Sequence, residues 1–315
     1  MGDRLVGLVV AARPRQWVKN VACLAGLVFS GRLFEVGALG LAALAFAAFC
    51  LASSSIYLIN DVCDRRSDAE NPKKRHRPIA SGRVSPSMAL GASITLMALA
   101  LAASWALPAA CRGLLVAYLA INVAYSIRLK HTVLVDVILI AIGFEIRILF
   151  GVYAVGRLPT AWIVLCMFFL ALFLGFAKRR AELGLQAGAA DDHRRRPVLE
   201  KYRTNLLDLL LAMSATMAIT CYALYTVTGR PELVLTVPLV VYGFFRYLLL
   251  VIVFDVGDAP DRDLFSDPLL IGTAVLWVGL CVAILYGGFN PIHFEVIGPA
   301  HGPGPSPPAV SSGSR

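Results

Sequence analysis

The chain has 315 residues, of which 58% are hydrophobic and only 16% charged, with a formal net charge of +9 at pH 7. That balance excludes a soluble enzyme, and the apolar runs leave no room for a separate domain outside a bilayer. It also speaks against nucleic acid as a partner, because the excess cations are better accounted for by loops facing an anionic membrane surface.

The opening, MGDRLVGLVVAARPRQW, has too short an apolar run and too many early charges for a cleaved signal peptide. Residues 1–19 read as an interfacial segment: an amphipathic helix to about Ala12, then a basic, aromatic collar of Arg13, Arg15, Trp17 and Lys19. The collar fits an interfacial anchor and a direct substrate contact equally. Nine hydrophobic segments follow, at about 20–34, 37–59, 87–106, 112–128, 132–155, 159–177, 205–228, 232–254 and 268–288. Each approaches the ~20 residues a helix needs to cross a bilayer core, the first being short. The expected fold is therefore an all-α, polytopic bundle of nine transmembrane helices, with residues 1–290 as one catalytic domain and 291–315 as a tail.

Charge alternates along the connecting loops. Most of the 29 Lys and Arg residues fall in the N-terminus and in 60–86, 128–131, 178–204 and 255–267; the other loops and the tail hold only Arg32, Arg112, Arg157, Arg230 and Arg315. The positive-inside rule then predicts a cytoplasmic N-terminus and an exterior C-terminus. The seven cysteines are scattered, without a CxxC, so neither a disulfide frame nor a zinc site is expected.

The first charged loop, NDVCDRRSDAENPKKRHRP, runs from Asn60 to Pro78. Asp61, Asp64 and Asp68 are spaced i, i+3, i+7, which places them on one helical face beside Asn60. Converging carboxylates repel one another unless a cation lies between them, and hard oxygen donors suit Mg²⁺. Lys73, Lys74, Arg75, His76 and Arg77 follow and suit phosphate oxygens. A loop that merely sets topology would explain these cations but not the carboxylate spacing.

YSIRLKH, from Tyr125 to His131, leads to Asp136 one turn into the next segment, with Glu145 and Arg147 further along. Ionisable residues at membrane depth line a cavity or pathway by default. Arg147 lies three turns beyond Asp136 on the same face, whereas Glu145 points elsewhere; both also suit an ion pair with another helix. Lys130 is nearer the interface, where simple snorkelling is a serious alternative to a role in the site. The second long loop carries KRRAEL from Lys178, then Asp191, Asp192 and the run His193 to Arg196. Arg246 is either a pocket cation or half of a buried pair. The last loop gathers Asp255, Asp258, Asp261, Asp263 and Asp267; it lacks the EF-hand offsets, and Asp267 reads best as a helix cap. The tail, rich in Gly, Pro and Ser, is expected to be disordered.

NDVCDRRSD, its continuation NPKKRHRPIASG and YSIRLKHTVLVD together resemble the UbiA superfamily of membrane transferases. RPRQWVKN, IRLKH, FEIRILFG and KRRAEL are similar to its decaprenyl-phosphate phosphoribosyltransferase branch, over roughly residues 11–290. The resemblance implies a UbiA-type bundle in a bacterial-type plasma membrane. Prenyltransferases of the superfamily carry a second Asp-rich motif where this chain has KRRAEL, a departure that favours phosphoribosyl pyrophosphate (PRPP) as donor. On that resemblance Mg²⁺ is held by Asp61, Asp64 and Asp68, with Asn60 in support. Lys19, Lys73, Arg75, Arg77, Lys178, Arg179 and Arg180 are expected to hold phosphates, with Arg147 also binding substrate. Lys130 and Tyr125 orient a phosphate, and Asp136 holds ribose or metal. The acceptor is a polyprenyl phosphate, and an oligomer is compatible with the sequence. Two other readings stay open: a prenyltransferase using an isoprenyl diphosphate, and a transporter with its site near the midplane.

Overall fold

Backbone N–H and C=O groups find no partner in hydrocarbon, so apolar runs of this length must close their hydrogen bonds within helices. The computed structural model of the chain has that form, and no strand occurs among the described residues, 2–29, 31–72, 74–187, 202–254 and 267–287. In chain order the elements are α1 (Gly2–Ala11), a 3-10 stretch (Pro14–Leu24), α2 (Ala25–Phe29), α3 (Val36–Cys63) and α4 (Arg65–Glu70). Next come α5 (Pro86–Ser104), α6 (Ala109–Ile127), a 3-10 turn (Leu129–His131), α7 (Val135–Ala154) and α8 (Ala161–Ala187). The chain continues through α9 (Thr204–Gly229), a 3-10 turn (Pro231–Thr236), α10 (Val237–Val253) and α11 (Pro268–Gly287). Lys73, Asp191 to Lys201, Asp255 to Asp263 and the expected tail lie outside the described residues.

Among the described residues, seven helical spans are long and apolar enough to cross a membrane: α3, α5, α6, α8, α9, α10 with its preceding turn, and α11. Helix α7 is of similar length but carries three buried ionisable residues, Asp136, Glu145 and Arg147. The expected first span is not one continuous helix. It is a 3-10 stretch that gives way to the five residues of α2. It packs against α3 and α7, and non-helical backbone at membrane depth is tolerated where protein covers it or it lines a cavity.

Two apolar clusters meet at α7. On one side Phe49 of α3 packs on Tyr118 of α6 and Phe150 of α7, with ring centroids 4.6 and 5.4 Å away. On the other, Phe173 of α8 packs on Phe244 and Tyr247 of α10 at 5.1 and 5.5 Å, with Val137 of α7 in the same cluster. The buried face of α3 includes a run of small residues, Ala38, Ala42, Ala45, Ala48 and Ala52 followed by Ser53 to Ser55, which lets neighbouring helices approach closely. The amphipathic α1 exposes Leu5, Val6, Val9 and Val10 and buries Ala11 against Leu58, Ile79 and Val84. Its Asp3 pairs with Arg83. That geometry suits a helix lying in the interface with its apolar face in lipid.

Candidate functional site

Helix α3 ends at Cys63 and the chain bends at Asp64 (φ −89°, ψ 2°) before α4 resumes. The aspartate face is therefore broken at its middle member. Asp61, in the last turn of α3, and Asp68, in α4, are both buried, while the Asp64 side chain keeps 23% of its exposure. Arg77 bridges the buried pair: one guanidinium nitrogen is 3.2 Å from an Asp61 oxygen and 2.6 Å from an Asp68 oxygen. Arg13 also pairs with Asp61, and its guanidinium sits 5.1 Å from the Tyr57 ring centroid. Arg13 holds a left-handed backbone (φ 54°, ψ 58°) that costs a non-glycine residue roughly 1–2 kcal/mol. Lys74 lies 3.8 Å from Asp68. Asp64 turns away to pair with Lys130, in the 3-10 turn after α6, and accepts a 3.1 Å hydrogen bond from the Asn60 amide.

Each carboxylate of the motif thus has a protein cation against it, and among the described residues no group of three His, Cys, Asp or Glu side chains converges as a metal cage. The donor chemistry nevertheless fits a divalent ion: one cationic nitrogen of Arg77 already touches both Asp61 and Asp68, and hard oxygen ligands suit Mg²⁺.

Beside this cluster opens a cavity of about 500 Å³. Its cations are Lys19 from the 3-10 stretch, Arg147 from α7, and Lys178 and Arg179 from α8; Tyr57 and Tyr125 line it as well. Arg147 is buried and donates to the Asn20 amide oxygen (2.9 Å), the Tyr118 hydroxyl (3.1 Å) and the Gly143 carbonyl (3.2 Å). Phe49, Tyr118 and Phe144 pack around its guanidinium at 4.8–5.4 Å. All those partners are neutral, so of the two readings left open for Arg147 the ion pair is absent among the described residues. Glu145, two residues away and on a different face, is buried with neither oxygen hydrogen-bonded among the described residues.

Behind the lining residue Arg179, the buried Asp136 accepts from that guanidinium (2.8 Å) and from the Tyr202 hydroxyl (3.2 Å). Arg179 also reaches Glu182 at 2.5 Å. The Tyr202 oxygen in turn accepts the Leu134 N–H at 2.7 Å. Burial pushes the Tyr202 phenol up to about 12, so it remains a donor throughout the physiological range.

Arg180, expected among the phosphate cations, is engaged within the protein, and Arg246, left open between a pocket cation and a buried pair, is paired. Arg180 pairs with Asp208 (2.6 Å) and donates to the Val251 carbonyl (2.7 Å), where it satisfies the C-terminal end of α10. Arg246 forms two hydrogen bonds with Asp267, 3.2 and 2.6 Å long, and these hold the Asp267 carboxyl below the usual range. Asp267 accepts the Leu270 N–H at 2.8 Å and caps α11, as its position suggested. Arg75 is exposed and lines no part of the cavity, and Lys73 lies outside the described residues. Sequence reasoning left Arg13 undecided between anchor and substrate contact, together with Asn20 at the end of the same RPRQWVKN run, and gave Tyr202 no role.

The family model described as "UbiA prenyltransferase family" matches residues 20–266. A decaprenyl-phosphate phosphoribosyltransferase of Mycolicibacterium smegmatis is 40% identical over 225 residues, covering 70% of each chain. The protein of that name from Corynebacterium glutamicum is 34% identical over 296 residues, covering 89% of this chain and 87% of its own. Among solved structures, a UbiA homolog from Archaeoglobus fulgidus bound to GPP and Mg²⁺ superposes with a TM-score of 0.68 at 18% identity, covering 89% of this chain and 99% of that one. The fold is the same.

Proposed function

The chain belongs to the UbiA prenyltransferase family, and from that premise we propose that it transfers 5-phosphoribosyl from PRPP to a polyprenyl phosphate, releasing pyrophosphate. It is a multi-pass membrane transferase. The observation that carries the choice of donor is the composition of the cavity, where Lys19, Arg147, Lys178 and Arg179 stand with no carboxylate among the described lining residues. A prenyl diphosphate has an apolar remainder to place beyond its metal-bound end. PRPP has a second, dianionic phosphate, and a wall of cations suits it.

In this reading Asp61, Asp64 and Asp68, supported by Asn60, hold Mg²⁺, which offsets the charge of the departing pyrophosphate. Arg13, Arg77 and Lys130, which neutralise those carboxylates here, turn to the phosphate oxygens of the donor. Lys19, Lys178 and Arg147 hold phosphate in the cavity, and Tyr57 and Tyr125 flank the sugar. Asp136, fixed by Arg179 and Tyr202, serves the ribose hydroxyls. An oxygen of the lipid phosphate forms the new bond to the anomeric carbon as the bond to pyrophosphate breaks. A phosphate monoester is already anionic near neutral pH, so no strong general base is needed.

The test is pyrophosphate release by detergent-purified protein given Mg²⁺, PRPP and a polyprenyl phosphate, omitting each in turn. Release requires all three. Turnover of a prenyl diphosphate with PRPP inert would replace this reading with a prenyltransferase, and solute movement in sealed vesicles without pyrophosphate release would make the protein a transporter.

Charge asymmetry supports a site on the cytoplasmic face of the plasma membrane, within a single unit spanning residues 1–290. Cys63 is the one exposed thiol among the described cysteines. A membrane-impermeant maleimide should therefore label wild-type protein in inverted vesicles and leave it unlabelled in intact cells, whereas Leu158→Cys, 82% exposed in the opposite-end loop, becomes labelled in cells. Labelling of Cys63 from outside would reverse the topology.

A further inference from the structure

The end of the bundle opposite the aspartates holds a second cavity, of about 260 Å³. Asp136 opens α7 at the aspartate end, and this cavity lies beyond the other end of that helix, lined by Val152 and by Arg157 to Thr160 in the loop to α8. Ile148, Val152 and Ile163 make apolar walls, while Arg157, Arg230 and Tyr225 supply the polar groups. Tyr225 is only 6% exposed and its hydroxyl makes no hydrogen bond among the described residues. Its place in the cavity wall makes the phenol a donor available to a ligand.

The arginines give the ligand its charge. By the charge asymmetry this is the exterior end, where cations are few. Two of them are engaged within the protein: Arg32 with Glu35 (2.6 Å) and the Val155 carbonyl (2.8 Å), and Arg112 with the Leu107 carbonyl (3.2 Å) and the face of Trp105. Arg157 forms no ion pair among the described residues, and Arg230 has only a loose one with Glu232, at 3.6 Å. Both are exposed and both converge on the one cavity. Two guanidinium groups and a hydroxyl donor over an apolar wall match a phosphate that carries a glycerol and the start of acyl chains. A free phosphate ion has no use for Ile148, Val152 and Ile163.

We propose that this cavity binds the phosphate of an anionic membrane phospholipid from the exterior leaflet. The site rests on the membrane topology but not on the transfer reaction.

The test is thermal unfolding of the full chain in a neutral detergent, followed by tryptophan fluorescence, during titration with phosphatidylglycerol, phosphatidylcholine or inorganic phosphate. Phosphatidylglycerol raises Tm saturably. The double variant Arg157→Ala/Arg230→Ala raises the half-saturating concentration at least tenfold, and Tyr225→Phe raises it severalfold. All variants keep the lipid-free Tm and the pyrophosphate release of the wild type. An unchanged titration in the double variant overturns the site. So does an equal response to phosphatidylcholine, and a full Tm shift from inorganic phosphate alone makes it a free-anion site.

Discussion

Replacing Asp61 by Asn lowers pyrophosphate release by about 10²–10³-fold or more, the scale seen when one preorganised electrostatic contact to a developing charge is removed. Asp61 is 2% exposed and faces both Arg13 and Arg77. The amide keeps the shape and removes the charge on which the two guanidinium groups converge, along with the anionic donor offered to a divalent ion. The fold should survive. Arg77 retains its 2.6 Å contact with Asp68, and both arginine side chains are 27% exposed, so water reaches the cations left behind. Asp64→Asn should act in the same direction through Lys130. Unfolding temperature and pyrophosphate release are measured on the same preparation. Activity within tenfold of wild type at an unchanged Tm would remove Asp61 from the site.

Gly151→Ala should destabilise the protein by about 3 kcal/mol, near the top of the range for overpacking a filled interior. A Cβ built at Gly151 overlaps the carbonyl group of Cys23, and one at Gly26 would lie 2.6 Å from the Val152 Cα. These are backbone atoms that no rotamer change can move, so α7 must separate from the 3-10 stretch that carries Lys19 and Asn20. The Asn20–Arg147 hydrogen bond opens with it, and the cavity loses its shape. Transfer activity should fall together with Tm in detergent. Gly243→Ala, whose Cβ meets nothing within 4 Å, is the control and should leave Tm within about 1 °C of wild type. If Gly151→Ala matched that control, the close approach of α7 and residues 14–24 would be refuted.

The all-helical membrane architecture was legible in the sequence, because a chain cannot leave peptide groups unpaired in lipid and its apolar runs are the length of a bilayer core. The closeness of Asp61, Asp64 and Asp68 was legible as one short stretch, but not the bend at Asp64 that breaks their common face and turns that carboxylate to Lys130 while Arg77 bridges the other two. Asp267 as a cap follows from a local hydrogen bond to Leu270, only three residues on. What these readings share is short range. Each depends on neighbours along one helix or on the partition of one segment between water and lipid.

The rest required contacts between residues far apart in sequence. That Arg180 and Arg246 serve Asp208 and Asp267, while Arg147 of the neighbouring charged helix is left among neutral partners, depends on which helices lie side by side. No periodicity encodes that, since a guanidinium reads the same on a helix whatever faces it. The expected first span became a 3-10 stretch because two glycines let residues 14–29 press into α7, where protein covers the irregular backbone. Composition alone determined the solvent and the secondary structure of this chain, and one motif located its charge. The tertiary structure decided which cations remain available to a ligand, because a buried charge is assigned by the packing that surrounds it.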